Sequence, residues 1–263
     1  MTPISSMPRR VWTRIRRDGL YAASRYYRFA SKHALHYLIY DRRWDRLDTR
    51  RTSGALTVHQ DDIVGVARRV EELRYQAMAR LPLIWALRSL DVDYSKFAFI
   101  DYGSGRGRLL LTAARFPFRK IVGVEFSRTL HQEACLNIAS YPDRNLACGD
   151  IASLNTNAVD YDLPDGDCVA FFFNPFTGEV LDDVASRIEA CCRAAPRTVY
   201  VIFANSDRVP LFTSKPSFRR FKPRGFPAAL LRALAPARFE FFVVEPTSSS
   251  GLPRDEREGA YRQ

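Results

Sequence analysis

Three glycines at alternate positions, Gly103, Gly105 and Gly107, separate an apolar run, Phe97-Ala-Phe-Ile100, from the leucine-rich stretch Leu109-Leu-Leu-Thr-Ala-Ala114. No other feature of the 263 residues restricts the fold as much. The order is that of a buried strand, a tight turn and the start of a helix. Glycine has no Cβ and tolerates positive φ, so such a turn lets the backbone approach a ligand closely, and a helix N-terminus follows it. The turn therefore marks a nucleotide-type cofactor site near the middle of the chain.

The spacing separates one cofactor class from another. A dinucleotide turn reads G-x-G-x-x-G, and here Arg108 stands where the third glycine would be. Asp101, two residues before Gly103, would repel a pyrophosphate and instead suits a ligand carrying an amino group or a sulfonium. Arg106 and Arg108 are expected on the helix surface rather than at the ligand.

Strand and helix signals alternate from this point. Strands are expected at 97–101, 120–125, 145–148, 167–173 and 198–204, and helices at 106–115, 127–140 and 179–194. That rhythm predicts an α/β fold with a mostly parallel sheet and helices on both faces. Phe218-Arg-Arg-Phe-Lys222 and Ala237 to Glu245 read as a closing antiparallel hairpin with little room for a long helix between them. Upstream, residues 61–80 have a helical period, and Pro82 opens a shorter helix through Ile84, Leu87 and Leu90.

Charge divides the chain. Residues 1–50 hold twelve Lys or Arg against four Asp, a surplus of eight within a whole-chain net charge of +11. Residues 8–40 read as helical with interleaved aromatics, and Asp41 to Gly54 reads as a polar linker. Three roles are open for 8–50: a nucleic-acid arm, an interfacial helix on an anionic membrane, or a cap packed on the core. The expected division is a basic helical extension at 1–60, a catalytic domain at 61–246 and a disordered tail at 247–263. No apolar run approaches the ~20 residues of a membrane span. Residues 1–17 lack the apolar core of a secretory signal. The five cysteines form no metal-ligand spacing, so reduced thiols in the cytoplasm are expected.

Three further elements carry chemistry. Glu125 ends the strand Ile121-Val-Gly-Val-Glu125, where an acid can accept hydrogen bonds from both ribose hydroxyls, although it could also cap the helix that Ser127 begins. Asp150, in Cys148-Gly-Asp150, can accept from an exocyclic adenine amine or cap a turn. Val169 to Phe176 is a buried strand ending in Asn174-Pro175-Phe176: Asn174 offers a carbonyl acceptor, Pro175 stiffens the turn and Phe176 offers a ring face. His131 and His59 are expected in packing or surface roles, and no dedicated base is evident.

These elements, over roughly residues 70–245, resemble the class I S-adenosylmethionine-dependent methyltransferases. Asp101-Tyr-Gly-Ser-Gly-Arg-Gly107 with Gly123-Val-Glu125 is most similar to the histone lysine methyltransferases that lack a SET domain and to their bacterial relatives. The resemblance implies a Rossmann-like sheet of seven strands and the cofactor S-adenosyl-L-methionine, with S-adenosyl-L-homocysteine as product. It implies Asp101, Gly103, Ser104, Gly105 and Gly107 around the methionine part, Glu125 with Phe126 at the ribose, and Asp150 with Ile151 near the adenine. Asn174, Pro175 and Phe176 would be the catalytic residues, Asn174 also bordering the cofactor, and Tyr75-Gln76 would belong to a lid. The Asn-Pro-Phe motif favours methylation of an amino nitrogen, in a protein lysine or another amine. A second proline, present in enzymes that methylate adenine amines, is missing. The alternatives are an O-methyltransferase of a small molecule and a non-catalytic protein that keeps the fold.

Overall fold

The computed structural model describes residues 73–141, 146–173, 178–204 and 214–245, the strand 55–58, and scattered positions between 13 and 41. Seven strands form the main sheet: β3 (Phe97–Tyr102), β4 (Lys120–Glu125), β5 (Ile151–Asn155), β6 (Asp167–Phe173), β7 (Val199–Ala204), β8 (Arg219–Phe221) and β9 (Phe239–Val244). Their spatial order is β5-β4-β3-β6-β7-β9-β8. The first five are parallel, and β9 runs antiparallel to both β7 and β8. A separate antiparallel pair is made by β1 (Ala55–Val58) and β2 (Leu73–Gln76), so strand pairing bridges the expected boundary near residue 60.

Between residues 73 and 245, five α-helices among the described residues cover the sheet: α1 (Arg80–Arg88), α2 (Arg108–Ala113), α3 (Arg128–Ala139), α4 (Gly178–Ala194) and α5 (Phe226–Leu234). One core layer joins α4, through Leu181, Val184, Ala185 and Ile188, to Ile100, Tyr102, Val122, Phe172 and Phe203. The opposite layer joins Leu83 and Leu87 of α1, Leu110 of α2 and Leu231 of α5 to Phe99, Phe171 and Phe241. Phe171 and Phe172 face opposite layers because successive strand residues alternate across a pleated sheet. Such two-sided burial is why the central strands read as unbroken apolar runs.

The last register row shared by β3, β6 and β7 is aromatic. Tyr102, Phe172 and Phe203 are partners across β3, β6 and β7. Their rings stack at centroid distances of 4.7 Å and 5.6 Å, with interplanar angles of 5° and 10°. Offset aromatic pairs contribute beyond their buried area, so this row stiffens the sheet just below its carboxyl edge.

Three expectations are corrected. The strand expected at 145–148 is β5 at 151–155; it is an edge strand and carries Ser153 and Asn155, which hydropathy does not favour. The period at 61–80 does not continue to its end, since 73–76 is extended and the helix begins at Arg80. The closing hairpin contains α5, a nine-residue helix that starts after Gly225 at φ +88° with a proline in its first turn. No disulfide joins the five cysteines. Among the described residues no helix is long and apolar enough to cross a membrane. Residues 247–263 and His59 lie outside the described residues.

Replacing Phe172 by Ala is expected to cost about 3–5 kcal/mol, because it empties the middle of the stack. Urea unfolding of the two proteins measures it.

Candidate functional site

In an open α/β sheet the crevice for a ligand forms at the carboxyl ends of the strands where the strand order reverses. Here that point is β3, flanked by β4 on one side and β6 on the other. The glycine turn leaves β3 at this edge. Gly103, Gly105 and Gly107 have φ of +81°, +53° and +76°, a region that side chains with a Cβ rarely enter.

The turn is fastened to β4 by its backbone. The N–H groups of Gly103 and Ser104 both donate to Val124 O, at 2.8 Å and 3.2 Å, and Gly107 N donates to Ser104 O at 3.0 Å. The approach is close enough to require a glycine on β4 as well. A Cβ on Gly123 would lie 2.5 Å from Ser104 Oγ and 2.6 Å from Leu110 Cδ1. Helix α3 closes the outer side: Asn137 Nδ2 donates to Arg106 O at 2.8 Å, and Arg106 Nε lies 2.5 Å from Glu133 Oε2. A Cβ on Gly107 would come within 3.2 Å of Ala134 Cβ.

Two buried acids stand beside this backbone. Glu125 is only 2% exposed, which removes the solvent-facing alternative. Its Oε2 accepts from Gly105 N at 2.7 Å, and its Oε1 accepts from Ser127 N at 2.9 Å. Ser127 caps α3, its Oγ accepting from Leu130 N at 3.2 Å. Asp101, equally buried, is the register partner of Gly123. Burial first, and the neighbouring Glu125 charge second, push its carboxyl from 3.8 up to about 8. The Asp101 carboxyl therefore carries its proton at neutral pH, and a cation bound beside it would favour release of that proton.

Asp150 and Ile151 stand elsewhere. Ile151 is level with Ile121 at the beginning of β4, whereas Asn155 is level with Glu125. Asp150 is thus at the amino end of β5, exposed, with its carboxylate 3.9 Å from Lys120 Nζ. The position level with the acid on β4 belongs to Asn155, whose Nδ2 donates to the carbonyls of Glu125 and Phe126 at 3.0 Å and 3.2 Å. Phe126 is half-buried next to Glu125. Tyr75 is on β2. Asn174, Pro175 and Phe176 follow Phe173, the last residue of β6, and lie outside the described residues. His131 rests against β5, its Nδ1 3.0 Å from Ser153 Oγ, and burial lowers its pKa.

Arg108 corrects a further expectation. It is buried rather than on the helix surface, with Nη2 3.3 Å from Asp41 Oδ2. Asp41 is itself buried and is no part of a solvated linker. Arg80, wholly buried, donates from Nε to Thr112 Oγ1 at 2.9 Å. The sequence alone gives no role to Asp41, Arg80, Asn137 and Asn155. Only Gly123, a glycine inside an apolar strand, carried a visible signal for close backbone approach.

The N-terminal residues that are described touch the domain at α1 and α5. His36 stacks edge-on against Trp85 at 5.5 Å, and its Nε2 lies 3.0 Å from Leu234 O. Lys32 Nζ donates to Ala233 O at 3.1 Å, near the end of α5. Leu20, Tyr21, Leu35 and Leu38 are exposed.

No protein-family model matches the chain, and no curated protein matches its sequence. Solved structures similar to it include the ribosomal protein L11 methylase of Lactobacillus delbrueckii subsp. bulgaricus, at 19% identity, 64% of this chain, 77% of that chain and a TM-score of 0.40. Magnesium protoporphyrin IX methyltransferase of Synechocystis PCC 6803, solved with bound S-adenosylmethionine, matches at 14%, 62%, 76% and 0.41 in the same order. A geranyl diphosphate methyltransferase in complex with geranyl diphosphate and sinefungin matches at 13%, 78%, 93% and 0.44. All three are methyltransferases at low identity, and the site residues rest on the geometry above.

The unfolded chain titrates Asp101 near 3.8 and the folded chain near 8, so between these values the folded form holds the extra proton. Stability contributed by this group therefore falls as pH rises through that window. In Asp101→Asn the fall is expected to shrink by a few kcal/mol, on the order of the linkage for a shift of this size. Thermal unfolding of both proteins from pH 4 to pH 9 measures the difference.

Proposed function

We propose that the chain is an S-adenosyl-L-methionine-dependent methyltransferase acting on an amino nitrogen, with S-adenosyl-L-homocysteine as product. The observation that carries this reading is the pair of buried carboxyl groups, Asp101 and Glu125, against a turn of three positive-φ glycines. Both arginines of the turn are directed away from it, to Glu133 and Asp41. Such a donor set fits a ligand with a cationic group at one end and hydroxyls at the other, and opposes one bearing phosphates.

Asp101 and the backbone of Gly103, Ser104, Gly105 and Gly107 would hold the methionine part, and Glu125 the ribose hydroxyls. Phe126 and Asn155 would border the adenosine, in the place first assigned to Asp150 and Ile151. When bound, the cofactor supplies an electrophilic methyl carbon on a sulfonium. The protein's task is then alignment of a nucleophile ~3 Å from that carbon and exclusion of water, because methyl transfer is an in-line displacement. Asn174 is assigned to the target amine: its side-chain carbonyl accepts an N–H and turns the nitrogen lone pair towards the methyl. Pro175 and Phe176 fix that carbonyl and flank the acceptor. The amine leaves the step with one more methyl, and the proton it sheds passes to solvent. A protein lysine of the kind methylated by enzymes that lack a SET domain is one acceptor of this chemistry. Tyr75 on β2 is assigned to a lid over the site.

Calorimetry with S-adenosyl-L-methionine, joined to methyl transfer from a radiolabelled donor into cell extract, tests both parts. Wild type is expected to bind, and Gly105→Arg to lose binding at least about a hundredfold, roughly 2.7 kcal/mol, since a side chain enters the ligand's space at positive φ. Asn174→Ala is expected to bind as wild type and to transfer at least about a hundredfold more slowly. Absent binding by wild type rejects the enzyme. Binding without transfer into any extract favours a non-catalytic protein, and unchanged transfer by Asn174→Ala favours an oxygen acceptor.

A further inference from the structure

The glycine turn is gripped by β4, by Glu125 and by α3, and a fourth grip comes from the N-terminal part of the chain. Arg108 is the first residue of α2 and directly follows Gly107, which caps that helix. Both ends of Arg108 are tied. Its guanidinium lies 3.3 Å from the carboxylate of Asp41, and its carbonyl accepts from Thr112 Oγ1 at 2.9 Å. The same Thr112 hydroxyl accepts from Arg80 Nε at 2.9 Å, and Arg80 N donates to Asp41 Oδ1 at 3.4 Å. Asp41, Arg80, Thr112 and Arg108 thus close a ring between the N-terminal part, α1 and α2, with all four residues at 2% exposure or less.

Burying such a ring is an expensive way to gain stability. Removing charges from water costs several kcal/mol per ion, and well-packed apolar side chains of similar volume often do as well or better. What a buried, hydrogen-bonded ion cluster does supply is one geometry: a guanidinium held at both ends has little rotational freedom left. The element fixed here is the N-terminal end of α2, whose first residue is one bond from the turn. Gly107 itself has little room to move, because Ala134 lies against it.

We propose that Asp41 is a positioning residue for the glycine turn, setting through Arg108 the backbone spacing that the ligand meets. This rests on the reading of the turn as the cofactor site. The N-terminal part is then a component of that site from behind, although Asp41 touches no ligand. Cofactor affinity depends on a residue that precedes the turn by some sixty positions.

Full-length Asp41→Asn tests the proposal with two readouts, since asparagine keeps the shape and removes the charge. In the protein without ligand, hydrogen exchange at the amides of 103–111 is expected to quicken about tenfold, while β6 and β7 keep wild-type rates. The calorimetric Kd for S-adenosyl-L-homocysteine is expected to weaken about tenfold, roughly 1.4 kcal/mol, with Asp41→Glu recovering part of the loss. A folded Asp41→Asn with wild-type exchange in the turn overturns the proposal, as does uniformly faster exchange with an unchanged Kd, which is the mark of a merely structural pair. Wild type that fails to bind the homocysteine ligand rejects the cofactor reading, and the exchange readout still decides whether Asp41 holds the turn. If Asp41→Asn does not fold, Thr112→Val removes the bridging hydroxyl and keeps every charge. Looser exchange confined to the turn then supports the proposal, and none overturns it.

Discussion

The site depends on one buried hydrogen bond, from the N–H of Gly105 to the carboxylate of Glu125. A buried acid inside a sheet is costly unless donors surround it, and amide donors from two segments meet that need. Through this bond the end of β4 and the turn after β3 hold each other in place. Gly103, Gly105 and Gly107 can follow the path it demands because each has positive φ. Gly123 leaves the space in which Ser104 and Leu110 sit. Asp101 is buried beside it, and burial first, with the Glu125 charge second, pushes its carboxyl up to about 8. Glu125 accepts from two backbone amides, those of Gly105 and Ser127.

Much of this was readable from residue order, for a physical reason. β3, β4, β6 and β7 are covered on both faces, so their sequences are apolar throughout and their ends are marked by the first polar or glycine residue. Asp101, Glu125 and the turn stand at those marks. β5 failed the same reading because it is an edge strand, where Ser153 and Asn155 are tolerated and hydropathy loses its contrast. The apolar Leu146-Ala-Cys148 reads as the strand instead, and Asp150 stands at the amino end of β5. α5 fits between the two strands of the closing hairpin because it is only nine residues long.

Asp41 and Arg80 were hidden more deeply. A local sequence of Asp-Arg-Arg-Trp-Asp has the composition of a solvated segment, and nothing near it predicts burial. Its partners are 39 and 67 positions further along, at Arg80 and Arg108. Charged residues become interior residues only when the fold delivers opposite charges to the same place, and that delivery is a property of the tertiary structure alone. Arg108 was misplaced for the same reason: at the first turn of a helix an arginine is ordinarily a surface residue, and here the N-terminal part covers it.

The two margins of the main sheet bear on how copies of this chain can meet. β8 is three residues long and presents Arg219 and Arg220, each engaged with an acid, Glu245 or Glu240. A ladder so brief, fringed with guanidinium groups, is a poor template for an added strand. The opposite margin, β5, has only five residues and ends in Asn155, whose amide is already committed to the main chain of its neighbour. Neither margin invites growth by strand addition.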